Sequence, residues 1–181
     1  MNPADHVLKT FASVPFGSRI LDMGCGEGQH SLSLALLGFD LYGCDMDERL
    51  VEATRKYVAS IYTPTAQQNR FVAARHNAFP YPTQHFDWIL AYRLKIDRGT
   101  ASHINAMVTE AQRVLTLGGW IYVAVPTDED SDGIREVSAE FLLDRMQAAG
   151  FVQASEPEEY ADEKGPVLAQ IFRKVDAHTP L

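Results

Sequence analysis

Short apolar runs alternate along most of the chain with stretches in which apolar residues return every three or four positions. Residues 20–23 (Ile-Leu-Asp-Met) read as a first strand. Leu32, Leu34, Ala35 and Leu36 then mark a helix, and Gly38 stands where a helix stops. Residues 41–44 form a second strand. Asp47 is placed to cap a helix running to about Ile61, with Leu50, Thr54, Tyr57, Val58 and Ile61 on one face and Pro64 in the loop that ends it. Residues 71–73 and 86–91 read as the third and fourth strands, the latter bounded upstream by Pro80 and Pro82. Ile104, Met107, Val108, Ala111, Val114 and Leu115 share a helical face. Gly118-Gly119 turns the chain into a fifth strand at 120–125, and the acidic loop 128–133 leads to a helix around 139–148 that Gly150 stops. Two last runs, 151–154 and 167–172, are separated by a charged, Pro-containing loop and read as a closing antiparallel pair.

Strand–helix alternation of this kind predicts a doubly wound α/β fold: one seven-stranded, mostly parallel sheet with an antiparallel last strand and helices on both faces. The 181 residues suffice for a single domain spanning 1–181. Such sheets bind ligands at the carboxyl ends of their strands. That rule gathers residues 24–28, Asp45, the loop 76–79, residues 91–93 and the loop 126–133 along one rim.

Composition narrows the ligand class. Hydrophobic residues make up 46% and charged residues 22% of the chain, as in a globular protein. The net charge of −8 argues against nucleic acid as a partner. No apolar run approaches the roughly 18 residues of a membrane helix, and the first residues, Met-Asn-Pro-Ala-Asp-His, show no basic, then apolar leader. With only Cys25 and Cys44, neither a structural disulfide nor a zinc site is expected, and a cytoplasmic location follows. The histidines show no metal-ligand spacing.

The chemistry concentrates where strand one ends. Residues 20–28 read Ile-Leu-Asp-Met-Gly-Cys-Gly-Glu-Gly. Glycines at 24, 26 and 28 are costly inside a strand or helix, and they suit a turn where backbone passes close to a ligand. Asp45 ends the next apolar run about 20 residues on, where a ribose-binding acid belongs. A dinucleotide site would prefer a third glycine at position 29, which is Gln29. Asp22 would suit a cationic ammonium group better than a pyrophosphate.

The segment 20–28 resembles motif I of the class I S-adenosylmethionine-dependent methyltransferases. The likeness continues at 41–45 (Leu-Tyr-Gly-Cys-Asp), at Phe79-Pro80-Tyr81 with Phe86-Asp87-Trp88-Ile89-Leu90, at residues 112–119 (Gln-Arg-Val-Leu-Thr-Leu-Gly-Gly), and at Ala149-Gly150-Phe151. Residues 28–32 with 38–40 are further similar to the small-molecule branch that includes tellurite-resistance-type enzymes. The resemblance implies S-adenosylmethionine as cofactor and methyl transfer to a small-molecule acceptor by in-line displacement, which needs alignment and exclusion of water more than a base. It implies cofactor contacts from Asp22, Gly24, Cys25, Gly26, Gly28, Asp45, Met46 and Ala91. The usual adenine-binding acid is missing from the loop after strand three, which leaves Asn77 and His76 as its replacements. Leu117 stands where the family has proline.

On the acceptor side the candidates are Tyr92 and Arg93, followed by Lys95, Asp97 and Arg98. The three cations would suit an anionic acceptor, against the plainer reading of a solvated loop. Val7, Leu8 and Phe11 make residues 1–17 a short helix that would cover the site as a lid. A nicotinamide-dependent oxidoreductase and a non-catalytic cofactor-binding module remain as alternatives.

Overall fold

The computed structural model describes residues 4–75, 77–94, 101–127 and 138–175. The chain divides into two compact units, residues 1–80 and 81–181.

The first unit runs α1 (Asp5–Phe11), β1 (Arg19–Met23), α2 (Gln29–Leu36), β2 (Asp40–Asp45), α3 (Glu48–Tyr57), α4 (Pro64–Arg70) and β3 (Phe71–Ala73). Its strands lie in the order β3-β2-β1 and are all parallel, with Arg19 opposite Asp40 and Asp45 opposite Ala73. Ile20, Leu21, Leu34, Leu41, Val51 and Phe71 are fully buried between sheet and helices. Each such side chain contributes about 1.5–3 kcal/mol relative to exposure. Val7 and Phe11 join this core, Phe11 with its ring edge-on to Phe39 at 6.1 Å. Gly38 does stop α2: at φ +90° it donates to the Ala35 carbonyl while Phe39 donates to that of Leu34, which satisfies two otherwise unpaired helix carbonyls.

Asp47 caps α3 as expected, accepting from the Arg49 N–H. The buried face of α3, however, is Val51, Thr54, Arg55 and Val58, whereas Tyr57 and Ile61 are exposed. The helix ends at Tyr57, so Ile61 lies beyond it; Thr54 and Val58 are buried as expected, and Val51 and Arg55 join them. The Thr54 hydroxyl donates to the Gly26 carbonyl at 2.7 Å, and the Arg55 guanidinium donates from Nε and a terminal nitrogen to the Phe71 carbonyl. Pro64 does not sit in a loop but opens α4, where its missing N–H is harmless and Thr63 caps the turn. No residue of α4 is buried, so it left no apolar period to read.

The second unit runs β4 (Phe86–Tyr92), α5 (Ala101–Val114), β5 (Leu115–Pro126), α6 (Ala139–Ala148), β6 (Phe151–Gln153), β7 (Glu158–Asp162) and β8 (Gly165–Lys174). β4 and β5 are parallel, and β8 runs antiparallel to β5 along one edge and to β6 and β7 along the other. The closing antiparallel pair is therefore present as β6 and β8. The loop between them contains an additional strand, β7, which the adjacent exposed acids Glu158 and Glu159 disguise. The described residues thus hold eight strands, not seven.

Gly118-Gly119 lies within β5. Phe86 faces Leu115 but Trp88 faces Trp120, so residues 116–119 form an irregularity against β4. Gly118 has φ +76°, and a Cβ on Gly119 would meet the Thr116 carbonyl oxygen at 2.9 Å. The α5 C-terminus is closed by Lys174, which is buried and donates to the carbonyls of Gln112 at 2.7 Å and Leu115 at 2.8 Å.

Candidate functional site

The first unit places the glycine turn, Asp22 and Asp45 together at the carboxyl ends of β1 and β2. The turn is tied to β2 by backbone: the N–H groups of Gly24 and Cys25 both donate to the Cys44 carbonyl, at 2.8 and 3.0 Å. Gly24, Gly26 and Gly28 all have positive φ, of 77°, 55° and 87°. Beyond this shared requirement their surroundings differ. A Cβ on Gly28 would press on Thr54 of α3 at 3.0–3.1 Å, so that glycine serves helix packing. A Cβ on Gly26 would meet no atom within 4 Å, so there the backbone borders open space.

Asp45 closes the same space. Its Oδ2 accepts from the Gly26 N–H at 3.1 Å and its Oδ1 from the Asp47 N–H at 3.0 Å. One backbone donor on each oxygen leaves each with further acceptor capacity. The carboxylate is thereby oriented, and it remains able to accept two hydroxyls. Met46, next to it, is 60% exposed.

Asp22 lies deeper. Its carboxyl is only 2% exposed and accepts from the buried Ser31 hydroxyl of α2 at 2.6 Å. Burial pushes it up to about 7; the Ser31 bond lowers it and the charge of Asp45 raises it further. Its ionisation is thereby moved toward neutral pH, and a cation beside it would favour the charged form.

Cys25 and Cys44 are free and buried. Burial pushes the Cys25 thiol well above its ordinary range and the Cys44 thiol to about 12, so neither is a nucleophile at neutral pH. Cys25 is turned toward Thr54, with Sγ 3.7 Å from its hydroxyl. His30 is structural: its Nε2 accepts from the Ala4 N–H at 3.2 Å, anchoring the start of α1.

Asn77 is exposed, whereas Phe79 is 5% exposed and belongs to the core. His76, Lys95, Asp97, Arg98 and the loop 128–133 lie outside the described residues.

In the second unit, Ala91 is fully buried near the carboxyl end of β4. Tyr92 and Arg93 follow, and both engage a residue that the sequence did not single out, Asp162 of β7. The Tyr92 hydroxyl donates to Asp162 Oδ2. Arg93 spans the same carboxylate, Nε to Oδ2 at 2.8 Å and a terminal nitrogen to Oδ1 at 2.6 Å. It therefore offers no uncompensated charge, unlike the free cation expected for an anionic acceptor. Among the described residues no group of three or more His, Cys, Asp or Glu could hold a metal, and no helix is long and apolar enough to cross a membrane.

Comparison with known proteins places these features in a family. Residues 20–119 match the family model described as a methyltransferase domain. The ubiquinone biosynthesis O-methyltransferase of Proteus mirabilis is 24% identical over 157 residues, which is 82% of this chain and 60% of that protein. The chain spans 20% and 60% of the lengths of the curated relatives it matches. A S-adenosylmethionine-dependent methyltransferase of Methanosarcina mazei superposes with a TM-score of 0.76 at 14% identity, covering 97% of this chain and 99% of that one. A TehB-like enzyme of Corynebacterium glutamicum gives 0.67 at 19% identity, covering 91% and 84%. These likenesses show the fold, the Rossmann-like α/β architecture expected from the sequence, without singling out the tellurite-resistance branch. The family model spans the glycine turn, Asp45 and the strands on both sides of them, and the chain belongs to the class I S-adenosylmethionine-dependent methyltransferases.

Proposed function

We propose that this chain transfers the methyl group of S-adenosylmethionine to a small acceptor. The observation that carries the reading is the end of β1 and β2: open space over Gly26, bordered by an oriented Asp45 carboxylate with acceptor capacity on both oxygens. A nucleoside with two ribose hydroxyls fits that donor–acceptor set. The buried Asp22 beneath the turn suits the ligand's ammonium group, and the exposed Met46 suits a purine face. The backbone of Gly24, Cys25, Gly26 and Gly28 would border the methionine portion. Asn77, with His76, would serve the adenine edge in place of the missing acid, and Ala91 would line the cofactor near the reacting end.

The bound cofactor supplies a methyl carbon already activated by a sulfonium. What remains for the protein is to align the acceptor and keep water out. Tyr92 and Arg93, at the carboxyl end of β4, are the acceptor-side residues. Because Asp162 neutralises Arg93, that residue lends no support to an anionic acceptor; Lys95 and Arg98 lie outside the described residues. We read the whole chain as one catalytic domain, with α1, held by Val7, Phe11 and the His30 bond, as cover over the cofactor. A cytoplasmic location agrees with the two unpaired cysteines.

Thermal-shift and titration measurements with S-adenosylhomocysteine and with NAD test this reading. Saturating S-adenosylhomocysteine should raise Tm by several degrees and NAD should leave it unchanged. Stabilisation by NAD alone would overturn it in favour of an oxidoreductase. Tight binding with no label transferred from methyl-tritiated cofactor to oxygen, nitrogen and sulfur acceptors would favour a non-catalytic module.

A further inference from the structure

The β7–β8 hairpin reaches the end of β4 through one carboxylate. Tyr92, Tyr122, Tyr160 and Asp162 all project from the same face of the second unit's sheet, as their register requires: Leu90 faces Tyr122, Tyr122 faces Ile171, and Tyr160 faces Val167. Asp162 accepts from four donors: the Tyr92 hydroxyl, two Arg93 nitrogens and the Lys164 N–H. Arg93 also donates to the Gly165 carbonyl at 2.8 Å. Behind them the hydroxyls of Tyr122 and Tyr160 lie 2.8 Å apart. Arg93 and Asp162 are each about 15% exposed at the side chain, so the pair is shielded from solvent and its geometry is bidentate.

Two features distinguish this from an ordinary surface ion pair. Arg93 has φ +53°, a left-handed conformation that costs a non-glycine residue about 1–2 kcal/mol and persists only when its surroundings impose it. The carboxylate, in turn, has every lone pair engaged. It cannot act as a base, and it stays ionised at any working pH, because its donors hold it well below the usual carboxylate range.

We propose that Asp162 is a positioning residue for methyl transfer. It fixes the Tyr92 hydroxyl and the backbone turn at Arg93, and it thereby sets the acceptor side of the site from the β7–β8 hairpin. The proposal rests on the reading of the β4 end as the acceptor side. It assigns the hairpin a task on the reaction, and the Arg93–Asp162 pair makes the clamp electrically neutral.

The test uses the full chain as wild type, Asp162→Asn, Asp162→Glu and Tyr92→Phe. Asparagine keeps the shape and one acceptor oxygen, so folding is retained; circular dichroism and Tm establish this. Titration with S-adenosylhomocysteine should give dissociation constants within twofold of one another in all four proteins. Transfer is followed from methyl-tritiated S-adenosylmethionine to catechol, 2-mercaptoethanol and imidazole as probe acceptors. For whichever probe the wild type methylates, Asp162→Asn should lower kcat at least tenfold with the cofactor KM unchanged, and Asp162→Glu should recover part of the loss. Wild-type turnover in a folded Asp162→Asn protein would overturn the proposal.

Where no probe is turned over, the tyrosine absorbance at 295 nm decides. Burial and the anionic partner hold the Tyr92 phenol above its ordinary range. In Asp162→Asn one phenol should therefore ionise at lower pH than in wild type, and that difference should vanish when Tyr92→Phe is added. An unchanged titration overturns the clamp. A wild type that binds no S-adenosylhomocysteine would instead refute the cofactor reading, and the phenol titration would still judge Asp162.

Discussion

Replacing Asp22 by asparagine removes one ionisable group and almost no volume. The carboxyl sits 2% exposed under the glycine turn, accepts from Ser31, and is pushed from the ordinary 3.8 up to about 7, chiefly by burial. An acid whose pKa is higher in the folded state stabilises the fold below its unfolded value, and that contribution is lost as pH rises through its folded value. Over the whole range the loss is about 4 kcal/mol. Between pH 5 and pH 8 it is about 2.5 kcal/mol by the same linkage. Asparagine does not titrate. In urea denaturation without ligand, Asp22→Asn should therefore gain about 2.5 kcal/mol on the wild type between pH 5 and pH 8. Cofactor binding should run the other way. At pH 6 about one wild-type carboxyl in eleven is charged, and at pH 8 about ten in eleven, so an ammonium ligand sees roughly tenfold more competent protein at the higher pH. Titrating S-adenosylhomocysteine into both proteins and taking the ratio of their affinities cancels the ligand's own protonation. That ratio should rise about tenfold from pH 6 to pH 8 in favour of the wild type. A stability difference flat in pH would refute the burial argument. A sloping stability difference with a flat affinity ratio would keep Asp22 buried and titrating, but remove it from the ammonium position.

Other substitutions separate binding from folding. Asp45→Ala deletes the acceptor for two backbone N–H groups and for the proposed ribose hydroxyls, and calorimetry should show S-adenosylhomocysteine binding weakened by about 1–3 kcal/mol. Gly28→Ala should lower stability by about 1–3 kcal/mol, since it adds a left-handed penalty to a 3.0 Å contact with Thr54. Gly26→Ala should lower it by only about 1 kcal/mol, yet abolish measurable cofactor binding; equal Tm losses in the two variants would contradict the assignment. Lys174→Met strands the carbonyls of Gln112 and Leu115 and should cost about 1–3 kcal/mol in denaturant unfolding. His30→Ala leaves the Ala4 N–H without its acceptor, and limited proteolysis should then cut within the first turns of the chain while the rest stays resistant.

What was legible in the sequence was what depends on local order. Strands β1 to β6 and β8 and the helices α1, α2, α3, α5 and α6 follow from apolar spacing and from stop residues such as Gly38 and Gly150. The elements that escaped are those that bury little. No residue of α4 is fully buried, and β7 opens with two exposed acids, Glu158 and Glu159, so neither leaves a period to read. The misphased face of α3 has another cause. Thr54 lies on the buried face as expected, but Arg55 is buried because its guanidinium meets the Phe71 carbonyl, and an apolar pattern is blind to burial achieved by hydrogen bonds. Gly43 escaped for a related reason: its bare Cα makes room for the Phe71 ring, 2.8 Å from where a Cβ would lie, a contact that exists only once β2 and β3 pair.

The same distinction runs through the site. Gly24, Gly26, Gly28 and Asp45 could be read because a nucleoside turn needs them within 22 residues, although the letters did not say that Gly28 packs on Thr54 while Gly26 borders open space. Tyr92 and Arg93 were visible as candidates, but their chemistry was not. An arginine in an acidic chain reads as a free cation until its partner is found, and that partner stands 69 residues downstream in a strand disguised as a loop. A neutral, saturated clamp cannot attract an anion or abstract a proton; it can only hold geometry. That is the contribution displacement at an already activated methyl carbon requires of its protein.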